Sequence, residues 1–176
     1  MIKKKSWKNL VETHSESLLR YISLANSLDE VSWRTPVAEG KWSPMEITEH
    51  LRAAYELLIK EQETGKGLKR RSGFLLRALL RFGALPIIMR NRRLPKGARS
   101  PREIRPDNCI EDKVEALRVL EEFGSRFAAI VERNRNDAKA KITHHLFGDL
   151  TLENGFEFVT IHLENHTRQL PAKNEQ

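Results

Sequence analysis

Ser43-Pro44-Met45-Glu46-Ile47-Thr48-Glu49-His50-Leu51 opens a helix with three cooperating signals. Ser43 can accept a hydrogen bond from the first turn. Pro44 suits the first helical position, where an N–H would have no intrahelical partner. Glu46 can reach back to the backbone of Ser43 and complete a capping box. The helix is predicted to run to Thr64, where Gly65 and Gly67 end it. Ile47, His50, Leu51, Ala54, Leu57 and Leu58 recur at three- and four-residue spacing, so His50 stands on the apolar, inward face.

On the N-terminal side, residues 6–28 read as a first helix. Its stripe is Trp7, Leu10, Val11, His14, Leu18, Tyr21, Ile22 and Ala25. Asp29 to Lys41, with Pro36 and Gly40, is turn-rich. On the C-terminal side, residues 68–82 are predicted as a shorter amphipathic helix. Phe74, Leu75, Ala78, Leu79 and Phe82 lie on one side and Arg70, Arg77 and Arg81 on the other, with Gly83 and Pro86 ending it. Residues 90–106, with Pro95, Gly97, Pro101 and Pro106, read as an extended, ordered loop. A third long helix is expected over 108–135, burying Val114, Leu117, Leu120, Phe123, Phe127 and Ile130. Residues 136–150 read as a connector. Thr151 then caps a last helix over 152–169, followed by Pro171, with a stripe of Phe156, Val159, Leu163, His166 and Leu170.

Long helices without strand alternation or internal repeats give an all-α fold. The expected architecture is a four-helix bundle with an extra amphipathic helix and a long loop between the second and third bundle helices. A chain of 176 residues suits one domain, 1–176, with a basic insertion at about 66–106. Its 39% hydrophobic and 31% charged residues place it with globular rather than disordered chains. The single Cys109 excludes an intramolecular disulfide and an all-cysteine metal site. Polar and charged residues follow the basic Met1–Lys5, where a secretory signal would be apolar, and no run of about 18 apolar residues exists. A cytoplasmic location is the expectation.

The histidines carry the functional signal. His162 and His166 stand at i, i+4 on the last helix, offset by about 40° around its axis and about 6 Å along it. Both imidazoles can reach one ion, and a bundle brings inner faces together, so His50 can add a third. Three neutral imidazoles suit zinc, nickel or another first-row divalent ion and leave positions for water or substrate. An HxxxH pair on a helix is by itself weak, because histidines on helix faces are more often edge-of-core residues. His14 is assigned to packing or pocket lining, and His144 and His145 to an exposed loop.

Gly40-Lys41-Trp42-Ser43-Pro44-Met45-Glu46-Ile47-Thr48-Glu49-His50-Leu51 resembles the second-helix motif of the DinB-like superfamily. His145-Leu146-Phe147-Gly148-Asp149-Leu150-Thr151 resembles its approach to the last helix, and Phe158 to Gln169 resembles that helix. The resemblance implies a four-helix bundle with a divalent metal on His50, His162 and His166. Its characterised members include S-transferases and isomerases that use low-molecular-weight thiols. A metal-dependent transferase with a thiol cosubstrate and a small-molecule substrate is therefore one expectation. The other is a non-catalytic binding module whose metal is structural or vestigial. A homodimer is compatible with either.

Other groups receive blander readings. Cys109, placed at a helix start, is expected to be structural. Glu49 and Glu164 neighbour the histidines in sequence but point elsewhere, as solvated surface charges. Trp42 is expected to staple against Ile47 or a neighbouring helix. Between Lys66 and Arg99 stand eleven Lys and Arg and no Asp or Glu; set against the total of +7, this leaves the rest of the chain at −4. Packing between helices is the expected use of this segment's apolar face, so that Leu75→Asp or Leu79→Asp would destabilise the fold. Contact with a membrane surface or acidic partner is the second reading. Nucleic acid is disfavoured, because no aromatic interleaving or recognised motif accompanies the charge.

Overall fold

The computed structural model describes residues 6–69, 72–95, 97 and 100–171; Arg70 and the basic Met1–Lys5 lie outside them. Four long helices form the body: α1 (Trp7–Asn26), α3 (Pro44–Thr64), α6 (Lys113–Arg133) and α7 (Leu152–Thr167), with a short α2 (Glu30–Arg34) after the first. The Ser43 side chain accepts from the Glu46 N–H at 3.2 Å, and the Ser43 N–H donates to Glu46 Oε2 at 2.7 Å, closing the capping box. Gly65 ends α3 with φ +71°, a left-handed conformation that suits glycine. Thr151 caps α7 through the Asn154 N–H.

Helix α6 packs against α3 and α1, and α1 packs against α7; α3 and α7 are not among the closely packed pairs. The core between them contains Tyr21, Trp33, Leu51, Tyr55, Leu120, Phe127, Phe156 and Leu163. Thr48 donates to the Pro44 carbonyl at 2.8 Å, so the buried Tyr21 hydroxyl, 2.8 Å away, donates to Thr48. That bond ties α1 to α3 across the bundle.

Three expectations are corrected. Helix α6 begins at Lys113 rather than 108, because the Asp112 side chain accepts from the Glu115 N–H at 2.8 Å and fixes the start. Val114, one residue into the helix, is consequently exposed rather than part of the buried stripe. The connector is a hairpin: β1 (Lys141–His144) pairs antiparallel with β2 (Gly148–Thr151), Ile142 opposite Leu150. Its residues alternate over too few positions to register as strand periodicity. The buried Glu61 carboxylate of α3 accepts the Thr143 N–H at 3.0 Å and holds the hairpin to the bundle.

The third correction concerns the insertion. Helix α4 (Phe74–Leu79) passes through a wider turn at Leu80–Ala84 into α5 (Leu85–Asn91) without breaking. The wide turn precedes Pro86, which has no N–H to give an α-helical bond, so the chain continues past a residue expected to stop it. Phe74, Leu75, Leu79 and Phe82 face solvent, against the packing expectation. The opposite side, through Leu80, Ala84, Leu85, Ile88 and Met89, packs with Phe147, Leu150, Phe158 and Ile161 as a second core. A short 3₁₀ turn at Arg102–Ile104 then lies against α3.

Helix α7 approaches the hairpin closely at Gly155, where a Cβ would lie 2.5 Å from Ile142 Cβ. That atom is fixed to the backbone and cannot turn away. At Gly124 the obstruction is the mobile end of Leu18, at 2.7 Å. Gly155→Ala is therefore expected to cost about 1–3 kcal/mol despite alanine's better helix propensity, and Gly124→Ala distinctly less. Chemical denaturation of both variants checks this order.

Candidate metal centre

Helix α3 carries His50 and α7 carries His162 and His166, and the fold brings all three to the seam between these helices. Their coordinating atoms lie within 4.8 Å of one another. His162 Nε2 stands 3.1 Å from His50 Nε2 and 3.0 Å from His166 Nε2. Zinc–nitrogen bonds are about 2.0–2.1 Å, which separates two nitrogens on one ion by about 2.9–3.4 Å over bond angles from square to tetrahedral. Both edges at His162 fall in that interval. Among the described residues, no carboxylate or thiol joins the cluster.

The far side of each ring decides what the near side offers. His50 Nδ1–H donates to the Ile104 carbonyl at 2.6 Å, which leaves a lone pair on its Nε2. His166 Nδ1 lies 2.9 Å from Gln169 Oε1 and donates to it, leaving its Nε2 in the same state. One N–H on His162 could satisfy only one of its two short contacts. The other would set lone pair against lone pair, whereas a cation would give both contacts of His162 a positive partner.

Burial first, and then mutual repulsion, keeps the imidazoles neutral. His50 is pushed down to about 4 by burial, against a raising effect of its bond to Ile104. His166 falls to about 3 through burial and the nearby His50, and His162 falls well below the ordinary value. His50 and His166 are buried, while His162 keeps partial exposure. The seam therefore offers three lone-pair donors at neutral pH with one side accessible.

The surroundings depart from expectation in several places. Trp42 packs against the core as expected, and its ring also lies 4.8 Å from that of His50, a candidate ligand. His144 is half-buried, not an exposed loop residue: its ring stacks on Phe147 at 4.5 Å and meets Phe158 edge-on at 4.9 Å. Its Nδ1 accepts from the backbone N–H groups of Leu146 and Phe147, and it is close enough to bias His162. His145 is half-buried beside it.

Glu49 is buried and paired with Arg52 at 2.8 Å, and Glu164 is paired with Arg92 at 2.5 Å; neither is a solvated surface charge. Cys109 precedes the cap of α6 rather than starting a helix. Burial, then the carboxylates of Glu49 and Glu46, pushes its thiol up, which favours the structural reading. The Ile104 carbonyl, supplied by the returning end of the insertion, had no sequence signal.

The sequence comparisons bear on this site. A family model described as the DinB superfamily matches residues 15–170, a span that contains all three histidines. The chain belongs to the DinB superfamily. No curated protein and no solved structure was found to match it. The helical bundle and the His50–His162–His166 cluster are thus features of a DinB-superfamily chain, and the insertion belongs to the same matched span.

His14 stands apart from the cluster, as its packing assignment requires. It is fully buried on α1, its Nε2 2.9 Å from the Tyr55 hydroxyl, its ring 4.9 Å from that of Phe156. Burial lowers its pKa from 6.5 to about 4. The unfolded chain thus takes up a proton that the fold refuses. This contribution to stability is fully present above about pH 6.5 and is lost as pH falls to about 4. Between pH 7.5 and 4.5 His14 accounts for a loss of about 2–3 kcal/mol. His14→Gln, which keeps an acceptor for Tyr55, is expected to flatten the denaturation profile by that amount.

Proposed function

We propose that His50, His162 and His166 bind one divalent cation, zinc or nickel, and that the centre serves small-molecule chemistry with a thiol cosubstrate. The observation that carries the metal assignment is the pair of hydrogen bonds behind the rings. Ile104 and Gln169 fix two tautomers so that their lone pairs meet that of His162. Membership of the DinB superfamily supports the same reading.

A divalent ion held by His50, His162 and His166 would supply Lewis-acid chemistry able to ionise a thiol whose free pKa is near 8.5. The chain's own contributions are orientation and exclusion of water. His50 and His166 are fixed by their hydrogen-bond partners, Trp42 covers the His50 ring, and partly exposed His162 marks the approach. A structural centre would be closed by four protein ligands. A cluster of three, with no fourth among the described residues, favours a centre with room for a substrate. This favours the enzyme reading over the binding-module alternative.

Metal analysis and calorimetry with zinc and nickel are expected to give about one ion per chain. His162→Ala should abolish tight binding. Gln169→Ala should weaken it by about 10- to 100-fold, because it releases the ring of His166 without removing a ligand. Unchanged affinity in both variants would remove the cluster from the function.

A further inference from the structure

The helical stretch Phe74–Asn91 is built inside out. Phe74 is 79% exposed, Leu75 82%, Leu79 70% and Phe82 78%, and Leu76 and Ile87 also face solvent. Scattered exposed apolar residues are ordinary, but six large ones within fourteen positions form a patch that a free surface rarely carries. The helix cannot roll to bury them. Its other side is already packed through Leu85 and Ile88 against Phe147, Leu150, Phe158 and Ile161. Arg77 lies on that packed side, its guanidinium donating to the Ser72 carbonyl at 2.6 Å and its Cδ against Gly148. Arg92 fastens the far end to Glu157 and Glu164 of α7.

The charge of the segment that carries the patch has one sign. No acidic residue occurs between Lys66 and Arg99. Lys66 and Lys69 are exposed ahead of the helix, and Arg90 and Arg93 at its end. Arg90 follows Ile87 by three positions and so shares its side. A second copy of the chain would press another +11 segment against this one. Nucleic acid would meet the charge but offer no apolar partner to six side chains. An anionic lipid surface meets both requirements, because headgroups pair with the cations while the acyl boundary receives Phe and Leu.

We propose that the outward face of Phe74–Asn91, flanked by Lys66, Lys69, Arg90 and Arg93, docks on an anionic membrane surface. The stretch of 18 residues lies along the surface over about 27 Å; no described helix is long and apolar enough to cross the bilayer. The bundle holds the helix folded before contact, so binding bears no cost of ordering it. The surface is independent of the reaction proposed above: Leu75, Phe82, Arg90 and Arg93 are not part of the histidine cluster.

The test is co-sedimentation of the full chain at physiological salt with vesicles of equal parts phosphatidylglycerol and phosphatidylcholine, and with phosphatidylcholine alone. Uptake is expected on the anionic vesicles only. Leu75→Asp with Phe82→Asp should weaken it at least about tenfold while circular dichroism and the melting midpoint stay unchanged. Arg90→Glu with Arg93→Glu should weaken it by about tenfold or more and reduce its salt dependence. Absence of uptake, or equal uptake on neutral vesicles, would overturn the proposal. So would loss of structure in the aspartate variant, which would make the face a packed one. Conversion of a dimer to a monomer by that variant, without vesicle uptake, would assign the face to a second copy instead.

Discussion

Three imidazole nitrogens meet where α3 faces α7, two bundle helices that are not among the closely packed pairs. Lone pairs at about 3 Å repel unless something positive lies between them, and the burial of His50 and His166 strengthens that repulsion. The arrangement holds because each outer ring is fixed from behind, His50 by the Ile104 carbonyl and His166 by Gln169. Much of the remaining structure keeps that seam in place. Tyr21 and Thr48 tie α1 to α3, and the pair α1–α7 then positions the last helix.

The insertion belongs to the same constraint. One end packs on α7 through α5, and the other returns across α3 and delivers the carbonyl that orients His50. It therefore spans the seam rather than hanging from the bundle. Arg92 reinforces the span by ion pairs with Glu157 and Glu164 of α7, and the Ser17 hydroxyl of α1 adds a hydrogen bond to the same Glu164. These partly buried charges are satisfied in a network, which is where an ion pair contributes more than an isolated surface pair does.

Sequence reading reached the bundle because its signals are local. The capping box at Ser43, the glycine after Thr64 and the Thr151 cap each act within one turn, and the apolar stripes repeat with the helix period. The pairing of His162 with His166 is likewise a property of one helix. His50 could be placed on an inward face, but its approach to the other two depends on how α3 and α7 are set around the core. Asp112 shows the limit of a local signal. A polar residue among several competes for the cap, and the start of α6 moved by five residues from its expected place.

What the sequence by itself determined was therefore the helical class, the order of the four long helices and the three histidines worth following. Tertiary structure decided everything that rests on contacts between distant segments. It placed Trp42 on His50, brought His144 of a four-residue strand beside α7, and paired the buried Glu49 and the half-buried Glu164 with arginines. It also reversed the expected orientation of Phe74–Phe82. An amphipathic pattern tells which residues share a side, but not which side the rest of the protein occupies. Here Leu85, Ile88 and Arg77 won the inward position, because the hairpin and α7 offered them a complementary surface.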